Sequence, residues 1–379
     1  MRALLFVLLA ACSSSPTVDA PEPRDVPRRD AALDPGRGLP RELFAYDWAC
    51  TGEVPPSGVP FDAEPASEDC STGIWPELPI TAVCPTITTG TRIDPDTGMT
   101  LPPPDDRTLP TTIAPTESGS FRTGPEPEAW PGTLRVVAWN VEYTRSLDAQ
   151  IEALTTDPEL SSADVYLLSE VDRCSTRNGV RRAARLLAQA IGGDYAYAIE
   201  FVELSIGRTI GGDTGQAIVS RRPLSGGSVL CHAGPTDWFT SDEEPRLGRR
   251  ITLAADVPVG DTTARLYAVH FESEDLFGAE RAPQVKEVLD AAQREACGRP
   301  IVVAGDFNTW YPTAPERAVM SAADFVDAFE LLGDTGGTHS SGRRLDYLYE
   351  RGFDVLSGTI RRDLDLSDHP PLFATLSLP

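Results

Sequence analysis

Proline is distributed unevenly along this chain, and that distribution limits where a large fold can form. Of its 34 prolines, 22 lie between residues 13 and 131. Proline fixes its own φ and has no backbone N–H to donate, so a segment this rich in proline cannot be mostly helix or sheet. We therefore predict a flexible tether over 13–40, a Pro-rich, cysteine-containing extension over 41–130, and one large domain over 131–379.

The first twelve residues have the layout of an export signal. Arg2 precedes an apolar run from Ala3 to Ala11, which is shorter than the roughly 20 residues needed to span a bilayer. The Leu-Ala-Ala-Cys sequence that ends at Cys12 resembles the lipobox of bacterial lipoproteins, in which the cysteine is lipidated. This implies a signal peptide over 1–12, a membrane anchor at Cys12 and a place in the bacterial cell envelope. Ser13 favours the outer membrane or cell surface. The alternative is an ordinary secretory signal.

Six cysteines follow the lipobox: Cys50, Cys70, Cys84, Cys174, Cys231 and Cys297. In an exported chain, six cysteines can form up to three disulfides, whose pairing the sequence does not determine. No two cysteines have Cys-x-x-Cys spacing, so we expect no zinc site of that kind.

From Leu134 onward, short runs of Val, Ile, Tyr and Phe are bounded by turn residues, a pattern typical of strands. It predicts strands at 134–141, 165–171, 195–204, 216–221, 250–257, 264–271, 301–307, 345–350 and 371–378. Helical periodicity predicts helices at 147–155, 180–191, 280–296 and 314–322. Strands outnumber helices and several links are short, which argues against a purely parallel sheet. We predict an α/β (α+β) fold of two packed mixed β-sheets flanked by helices.

Several predicted strands end in polar residues that strand propensity would not select. Any one of them alone is explained as a turn former. Together they supply the oxygen and nitrogen donors from which a site for a hard divalent cation is built. These residues are Asn140, Glu142, Glu170, His270, Asp306, Asn308, Asp346, Asp368 and His369.

Seven short segments containing these residues follow one another along 134–379: Trp139-Asn140-Val141-Glu142, Leu168-Ser169-Glu170-Val171, Gly215-Gln216-Ala217-Ile218-Val219-Ser220-Arg221, Val269-His270-Phe271, Gly305-Asp306-Phe307-Asn308-Thr309, Arg344-Leu345-Asp346-Tyr347 and Ser367-Asp368-His369-Pro370. In order and completeness they resemble the endonuclease/exonuclease/phosphatase superfamily, which includes pancreatic deoxyribonuclease, exonuclease III and neutral sphingomyelinases. The resemblance implies a four-layer αββα sandwich and a metal-dependent hydrolase of phosphoric ester bonds.

The resemblance also implies a role for each matching residue. Asn140 and Glu170 would hold Mg²⁺ or Mn²⁺, with Glu142 and Asp368 assisting. His270 and Asn308 would donate hydrogen bonds to the phosphoryl oxygens. Asp306 would orient or deprotonate the attacking water, and Asp346 would orient His369 beside the scissile phosphate. Whether Asp306 or the Asp346/His369 pair is the general base stays open.

Two positions depart from the family pattern. Gln216 stands where many relatives have Asn, and Glu142 where some nucleases have Asp. A longer side chain at either position would displace the contact made there, but no principal catalytic position is lost. His232 and His339 fall outside the motifs, and we interpret them as structural or exposed.

The substrate is the least determined property. The net charge of -24 argues against a general DNA-holding surface, so a nuclease would need a local basic patch. Arginines between Arg173 and Arg185, and at 246, 249 and 250, are candidates, although the first group is equally explained as a solvated helix face. Exposed aromatics would instead suit a phospholipid; Trp238, Phe239, Trp310 and Tyr311 are candidates.

We favour a nuclease slightly over an enzyme acting on a phospholipid or a small phosphoester. A non-catalytic surface binding protein is the alternative from another class. The partners expected are the phosphate-ester substrate, which includes nucleic acid, and the membrane through the lipid anchor. The oligomeric state and the number of metal ions stay open.

Overall fold

The computed structural model describes residues 116–203, 212–234, 236–240, 246–296 and 298–379, and the backbone of four two-residue strands nearer the N-terminus. The predicted signal peptide with Cys12, the tether, and Cys50, Cys70, Cys84 and Cys297 lie outside these residues.

The strands, in chain order, are β1 (Pro79–Ile80), β2 (Arg92–Ile93), β3 (Thr100–Leu101), β4 (Leu109–Pro110), β5 (Thr116–Ser120), β6 (Thr133–Asn140), β7 (Val165–Ser175), β8 (Arg181–Arg182), β9 (Asp194–Glu203), β10 (Asp213–Ser220), β11 (Ser225–Cys231), β12 (Arg246–Gly248), β13 (Ile251–Val259), β14 (Thr262–His270), β15 (Ile301–Asp306), β16 (Val326–Asp327), β17 (Asp346–Arg351), β18 (Asp354–Ile360) and β19 (Leu372–Ser377). The α-helices are α1 (Leu147–Thr156), α2 (Ala183–Ile191), α3 (Arg281–Ala296), α4 (Pro315–Ala322) and α5 (Ala328–Leu332).

Most of these strands form two mixed sheets. The first runs β12-β9-β10-β7-β6-β19-β18, with β5 on β9 and β8 on β7. The second runs β11-β13-β14-β15-β17-β16. Each sheet contains a single parallel pair among the described strands, β6 with β7 and β14 with β15. The predicted mixture of parallel and antiparallel pairing is confirmed.

Side-chain alternation along the strands builds four layers. On β6, Val136 and Ala138 face a central core shared with the second sheet, whereas Val137 and Trp139 face an outer core that includes α1 and α2. On β14, Leu266 likewise faces the central core, and Tyr267 packs in a third core with α3 and α4. Two sheets buried on both faces therefore lie between two helical layers, the predicted αββα sandwich.

The elements match the sequence-based expectation with specific differences. All nine predicted strands and the four predicted helices are present. The helix predicted over 180–191 begins only at Ala183, because Arg181–Arg182 pairs as β8 with β7. β5 precedes the predicted boundary at 131 yet pairs with β9, so the first sheet includes residues of the predicted extension.

Cys174 and Cys231 are both disulfide-bonded, as the export signal and cysteine count predicted. In the described part of the chain, we find no helix of sufficient length and apolar character to cross a bilayer.

Candidate active site

Strand register brings the polar strand ends together. In the second sheet, His270 on β14 lies opposite Asp306 on β15, which lies opposite Asp346 on β17. In the first sheet, β6 and β7 run parallel with Asn140 opposite Ser169, the residue before Glu170. Because the two sheets pack face to face, Glu170 from the first sheet and His270 and Asp306 from the second line one cleft of about 270 Å³.

Asp306 is the centre of this cleft. Its Oδ2 accepts a hydrogen bond of 3.1 Å from Asn140 Nδ2, which links the two sheets. Its Oδ1 accepts the backbone N–H of Asn308 at 2.8 Å. Oδ2 also lies 3.8 Å from His270 Nε2 and 3.9 Å from His369 Nε2. The carboxylate is thus fixed by two neutral donors and flanked by two imidazoles.

A buried carboxylate orients each imidazole. His369 Nδ1 donates to Asp346 Oδ2 at 2.7 Å. Burial opposes a charge on His369, but the Asp346 carboxylate outweighs it and raises the pKa of His369 to about 10. The backbone N–H of Asp346 in turn donates to Thr338 Oγ1, which fixes the position of Asp346. His369 therefore carries a proton at neutral pH and directs Nε2 toward Asp306.

His270 is supported by residues that the motifs did not single out. Its Nδ1 lies 3.2 Å from Glu200 Oε2, and Arg250 Nη1 lies 2.9 Å from its Nε2. Burial opposes ionisation of Glu200, yet the charges of His270 and Arg250 lower its pKa to about 2. The sequence signal was a glutamate within an otherwise apolar strand, which we did not interpret.

Gln216, which stands where many relatives have the shorter Asn, contacts this network directly. Its Nε2 donates to Glu200 Oε2 at 2.9 Å. The longer side chain thus orients the carboxylate that faces His270.

Three of the predicted site residues, Glu142, Glu170 and Asn308, adopt backbone conformations that are rare outside glycine. Glu170 has a φ of 55° and Asn308 a φ of 49°. Such strain is uncommon and concentrates at functional sites, where the surrounding fold maintains it. The Asn308 side chain is also fixed, since its Nδ2 donates to the Phe271 carbonyl at 3.0 Å. One hydrogen of that amide remains for a ligand.

The donor set fits a divalent cation. Burial raises the pKa of Glu170, the charges of His270 and His369 oppose this rise, and the Asp306 charge adds to it. A bound cation would favour the ionised form of Glu170. His270 Nε2 lies 3.8 Å from Glu170 Oε1. The Asn140 amide oxygen, which accepts the Glu142 backbone N–H, retains a second lone pair.

The two residues predicted to assist with metal have partners of their own. Glu142 accepts a hydrogen bond from Arg145 at 3.1 Å and from the Asp368 backbone N–H at 3.2 Å. Asp368 Oδ2 lies 3.4 Å from His339 Nε2. Partial burial opposes ionisation of Asp368, but the hydrogen bond from His339 and the charge of His369 lower its pKa.

The two histidines outside the motifs differ. His232 is structural, since its buried ring bonds Glu287 and Thr252. His339 lines the cleft, with its ring 4.7 Å from that of His369. It also belongs, with Asp368 and His369, to a group whose ligand atoms lie within 4.8 Å of one another. The interpretation of His339 as structural or exposed stays a prediction, although its ring lies beside that of His369.

Two arginines of the predicted basic track, Arg173 and Arg177, are held in largely buried ion pairs. Arg173 pairs with Asp213 at 3.0 Å, and Arg177 with Asp172 and Glu203 at 2.9 Å. Ion-paired guanidinium groups offer little to a nucleic-acid backbone. Arg246 and Arg250 of the second predicted group, by contrast, line the cleft.

The candidate aromatic residues differ in how far they are exposed to solvent. Trp238 and Phe239 are buried, so they cannot form an exposed membrane-facing pair. Trp238 instead lines the cleft. Trp310 is half-buried and Tyr311 is exposed, on the segment that directly follows Asn308 and Thr309.

Comparison with known proteins agrees with this geometry. A sequence model described as "Endonuclease/Exonuclease/phosphatase family" matches residues 137–369. A UPF0294 protein of Vibrio vulnificus is 29% identical over 136 residues, and the match covers 34% of this chain and 44% of that protein. The chain thus spans less than half the length of this curated relative.

Two solved structures are similar in fold. An endonuclease/exonuclease/phosphatase from Beutenbergia cavernae gives a TM-score of 0.51 at 21% identity, covering 65% of this chain and 72% of that one. The catalytic domain of human nocturnin, solved with bound sulfate, gives a TM-score of 0.49 at 16% identity, covering 70% and 98%.

Proposed function

The chain belongs to the endonuclease/exonuclease/phosphatase family, whose members hydrolyse phosphoester bonds, and from this membership we propose that it is a lipid-anchored, extracytoplasmic, Mg²⁺-dependent phosphodiesterase that acts on nucleic acid. The observation that carries the proposal is the convergence of Glu170, His270, Asp306 and His369 on one cleft, with Asn140 hydrogen-bonded to Asp306 across the two sheets. The anchor rests on the Leu-Ala-Ala-Cys sequence ending at Cys12.

Asp306 is our choice of general base. It is a buried carboxylate whose oxygens, among the described residues, accept hydrogen bonds from two neutral amide groups, so it can take a proton from an attacking water. His369 is less suited to this task, because Asp346 keeps it protonated at neutral pH. We propose that His369 Nε2 donates to the phosphoryl or leaving oxygen.

His270 and Asn308 complete the polar lining. Glu200 and Arg250 hold the ring of His270, and the Phe271 carbonyl holds the amide of Asn308. Groups that are fixed before the substrate arrives stabilise developing charge without reorganisation. We propose that both donate to the non-bridging oxygens.

Glu170 and Asn140 would hold the Mg²⁺ or Mn²⁺, with Asp368 and Glu142 near them. A bound divalent cation would supply Lewis-acid stabilisation of the charge on the phosphate. Glu170 and Asp306 line the same cleft, so a cation held there would offset the repulsion between their charges.

A phospholipid is the second candidate substrate, and one observation favours it. Leu276 and Phe277 are 44% and 76% exposed, on the loop whose Ser273 and Glu274 line the cleft. Nucleic acid nevertheless remains our first choice, because Trp238 and Phe239, the other candidate membrane-facing pair, are buried.

Nicking of supercoiled plasmid by the full-length chain in detergent tests the proposal. We expect Mg²⁺-dependent nicking that EDTA abolishes. Glu170→Gln and His369→Ala should each reduce the rate at least about 100-fold without changing the melting temperature. Nicking that persists in EDTA or in both variants would overturn the site assignment. Hydrolysis of bis(p-nitrophenyl) phosphate without nicking would retain the phosphodiesterase and reject the nuclease.

A further inference from the structure

Two further depressions continue outward from the catalytic cleft along residues 333–345, the loop between α5 and β17. The middle depression shares His339 and Asp368 with the catalytic cleft. The outer depression, of about 430 Å³, shares Gly337 and Gly342 with the middle one. Each depression therefore borders the next, and we refer to the three together as the groove.

We name the outer depression the Trp310 recess. Its lining includes Trp310, Tyr311, Arg317, Glu330, Arg343 and Arg344. Trp310 is two residues from Asn308 and Arg343 is three residues from Asp346. Consecutive Cα atoms are about 3.8 Å apart, so the Cα atom of Trp310 lies within about 8 Å of that of Asn308. By the same spacing, the Cα atom of Arg343 lies within about 11 Å of that of Asp346.

Arg343 differs from the other arginines of the groove. Arg317 pairs with Glu330 at 2.6 Å, Arg344 with Asp327 at 2.7 Å, and Arg362 with Asp334 at 2.8 Å. Within the part of the chain that the structure describes, Arg343 has no carboxylate partner. Its guanidinium instead lies 4.2 Å from the centre of the Trp310 ring, and the side chain is exposed.

This arrangement has the chemistry of a nucleotide site. A guanidinium supported on one face by an indole keeps its N–H edge free for bidentate contact with a phosphate. Aromatic rings and guanidinium planes also stack on unpaired bases, which lipid headgroups do not provide. In a duplex the base is already stacked on its neighbours and cannot enter such a recess.

Resting on the proposed function, we propose that the Trp310 recess binds a nucleotide of a single-stranded nucleic acid beside the scissile phosphate. Arg343 contacts the flanking phosphate, and Trp310 with Tyr311 contacts the base. The site thereby selects flexible, unpaired strands over duplex DNA.

The test compares a labelled single-stranded oligonucleotide with bis(p-nitrophenyl) phosphate, using the full-length chain in detergent. In Arg343→Ala, we expect the ratio of kcat/KM for the oligonucleotide to that for the small diester to fall about tenfold, through KM. The slope of log KM against log salt should flatten by about 0.7, the value for one lost phosphate contact on a single strand. Trp310→Ala should lower the same ratio.

Two further variants sharpen the result. Arg343→Lys should restore the salt slope, because it keeps the charge, but not the full ratio, because it loses the planar group. Arg135→Ala removes another exposed positive charge, near the opposite end of β6 from Asn140, and it should leave both the ratio and the slope as in the wild type.

Each other outcome overturns a defined claim. An unchanged ratio in Arg343→Ala, or an equal loss on duplex and single strand, rejects the recess as a single-strand site while the nuclease stands. Cleavage of the small diester alone by the wild type rejects both the recess and the nuclease. Cleavage of neither substrate rejects the proposed function itself.

Discussion

Asp306 lies between two imidazoles, and each imidazole is backed by a buried carboxylate of its own. Asp346 fixes His369 and Glu200 fixes His270, at 2.7 and 3.2 Å. In both histidines, Nε2 is directed toward the same oxygen of Asp306. The two rings therefore have a defined tautomer and orientation before any substrate binds, which is the condition for efficient proton transfer.

Replacing the carboxylate behind His369 should affect chemistry more than stability of the fold. In Asp346→Asn, we expect kcat for bis(p-nitrophenyl) phosphate to fall about 100- to 10,000-fold, because His369 loses the charge that keeps it protonated. Steady-state kinetics in Mg²⁺ measure this.

Glu287→Gln is the matched control. It removes the carboxylate that bonds the buried His232 at 2.8 Å, outside the cleft, and should leave kcat unchanged. An equal loss of kcat in both variants would mean that the effect is structural and not specific to the His369 pair.

The sequence identifies the site residues at the strand ends, but it does not identify the residues that orient them through hydrogen bonds. Asn140, His270 and Asp306 are polar residues following apolar runs, so their positions were predictable. Glu200 lies inside β9. Its role depends on two hydrogen bonds, one from Gln216 on β10 and one from Arg250, which directly precedes β13. Such a role follows from tertiary packing, which no local pattern encodes.

Among the elements, the parallel pair β14 and β15 determines whether the site exists. It aligns His270 with Asp306, and it requires close backbone approach at Gly305. Gly305 has a φ of 140°, and a Cβ there would lie 2.2 Å from the Val269 carbonyl oxygen. Glycine is thus required by both the backbone angle and the space available.

Gly305→Ala should therefore destabilise the protein by about 3 kcal/mol or more, through strain and separation of the two strands. Denaturant unfolding measures the free energy change. Gly298→Ala is the control, since Gly298 also has a positive φ but no atom within 4 Å of the added Cβ. It should cost only about 1 kcal/mol. Equal costs at the two sites would show that crowding between the strands is unimportant.

The elements that sequence analysis missed are the ones with weak local signals. β18 alternates little because most of its residues face solvent, and β11 contains two glycines. α5 is only five residues long, held by Asp327 as its N-cap. The long buried strands were predictable because both of their faces are apolar.

At the scale of the whole molecule, disulfides add to a core that is already extensive. Cys174 and Cys231 lie on β7 and β11, in different sheets, and both are disulfide-bonded. Losing a native disulfide typically costs about 2–5 kcal/mol. For a domain of this size, reductant should therefore lower Tm by roughly 5–15 °C.

Calorimetry with and without reductant measures this difference, and thiol titration under denaturing conditions gives the number of free cysteines. An unchanged Tm together with fully titratable thiols in the untreated protein would exclude the disulfides.

The link between Asn140 and Asp306 joins residues 166 positions apart, and Trp139 donates to the His369 carbonyl across 230 positions. No fragment of the chain that ends before His369 can hold a complete catalytic centre. If the protein crosses the membrane unfolded, as the proposed signal predicts, its catalytic centre assembles only after export. Latency before export would then follow from the topology of the fold, because the residues of the site lie far apart in the sequence.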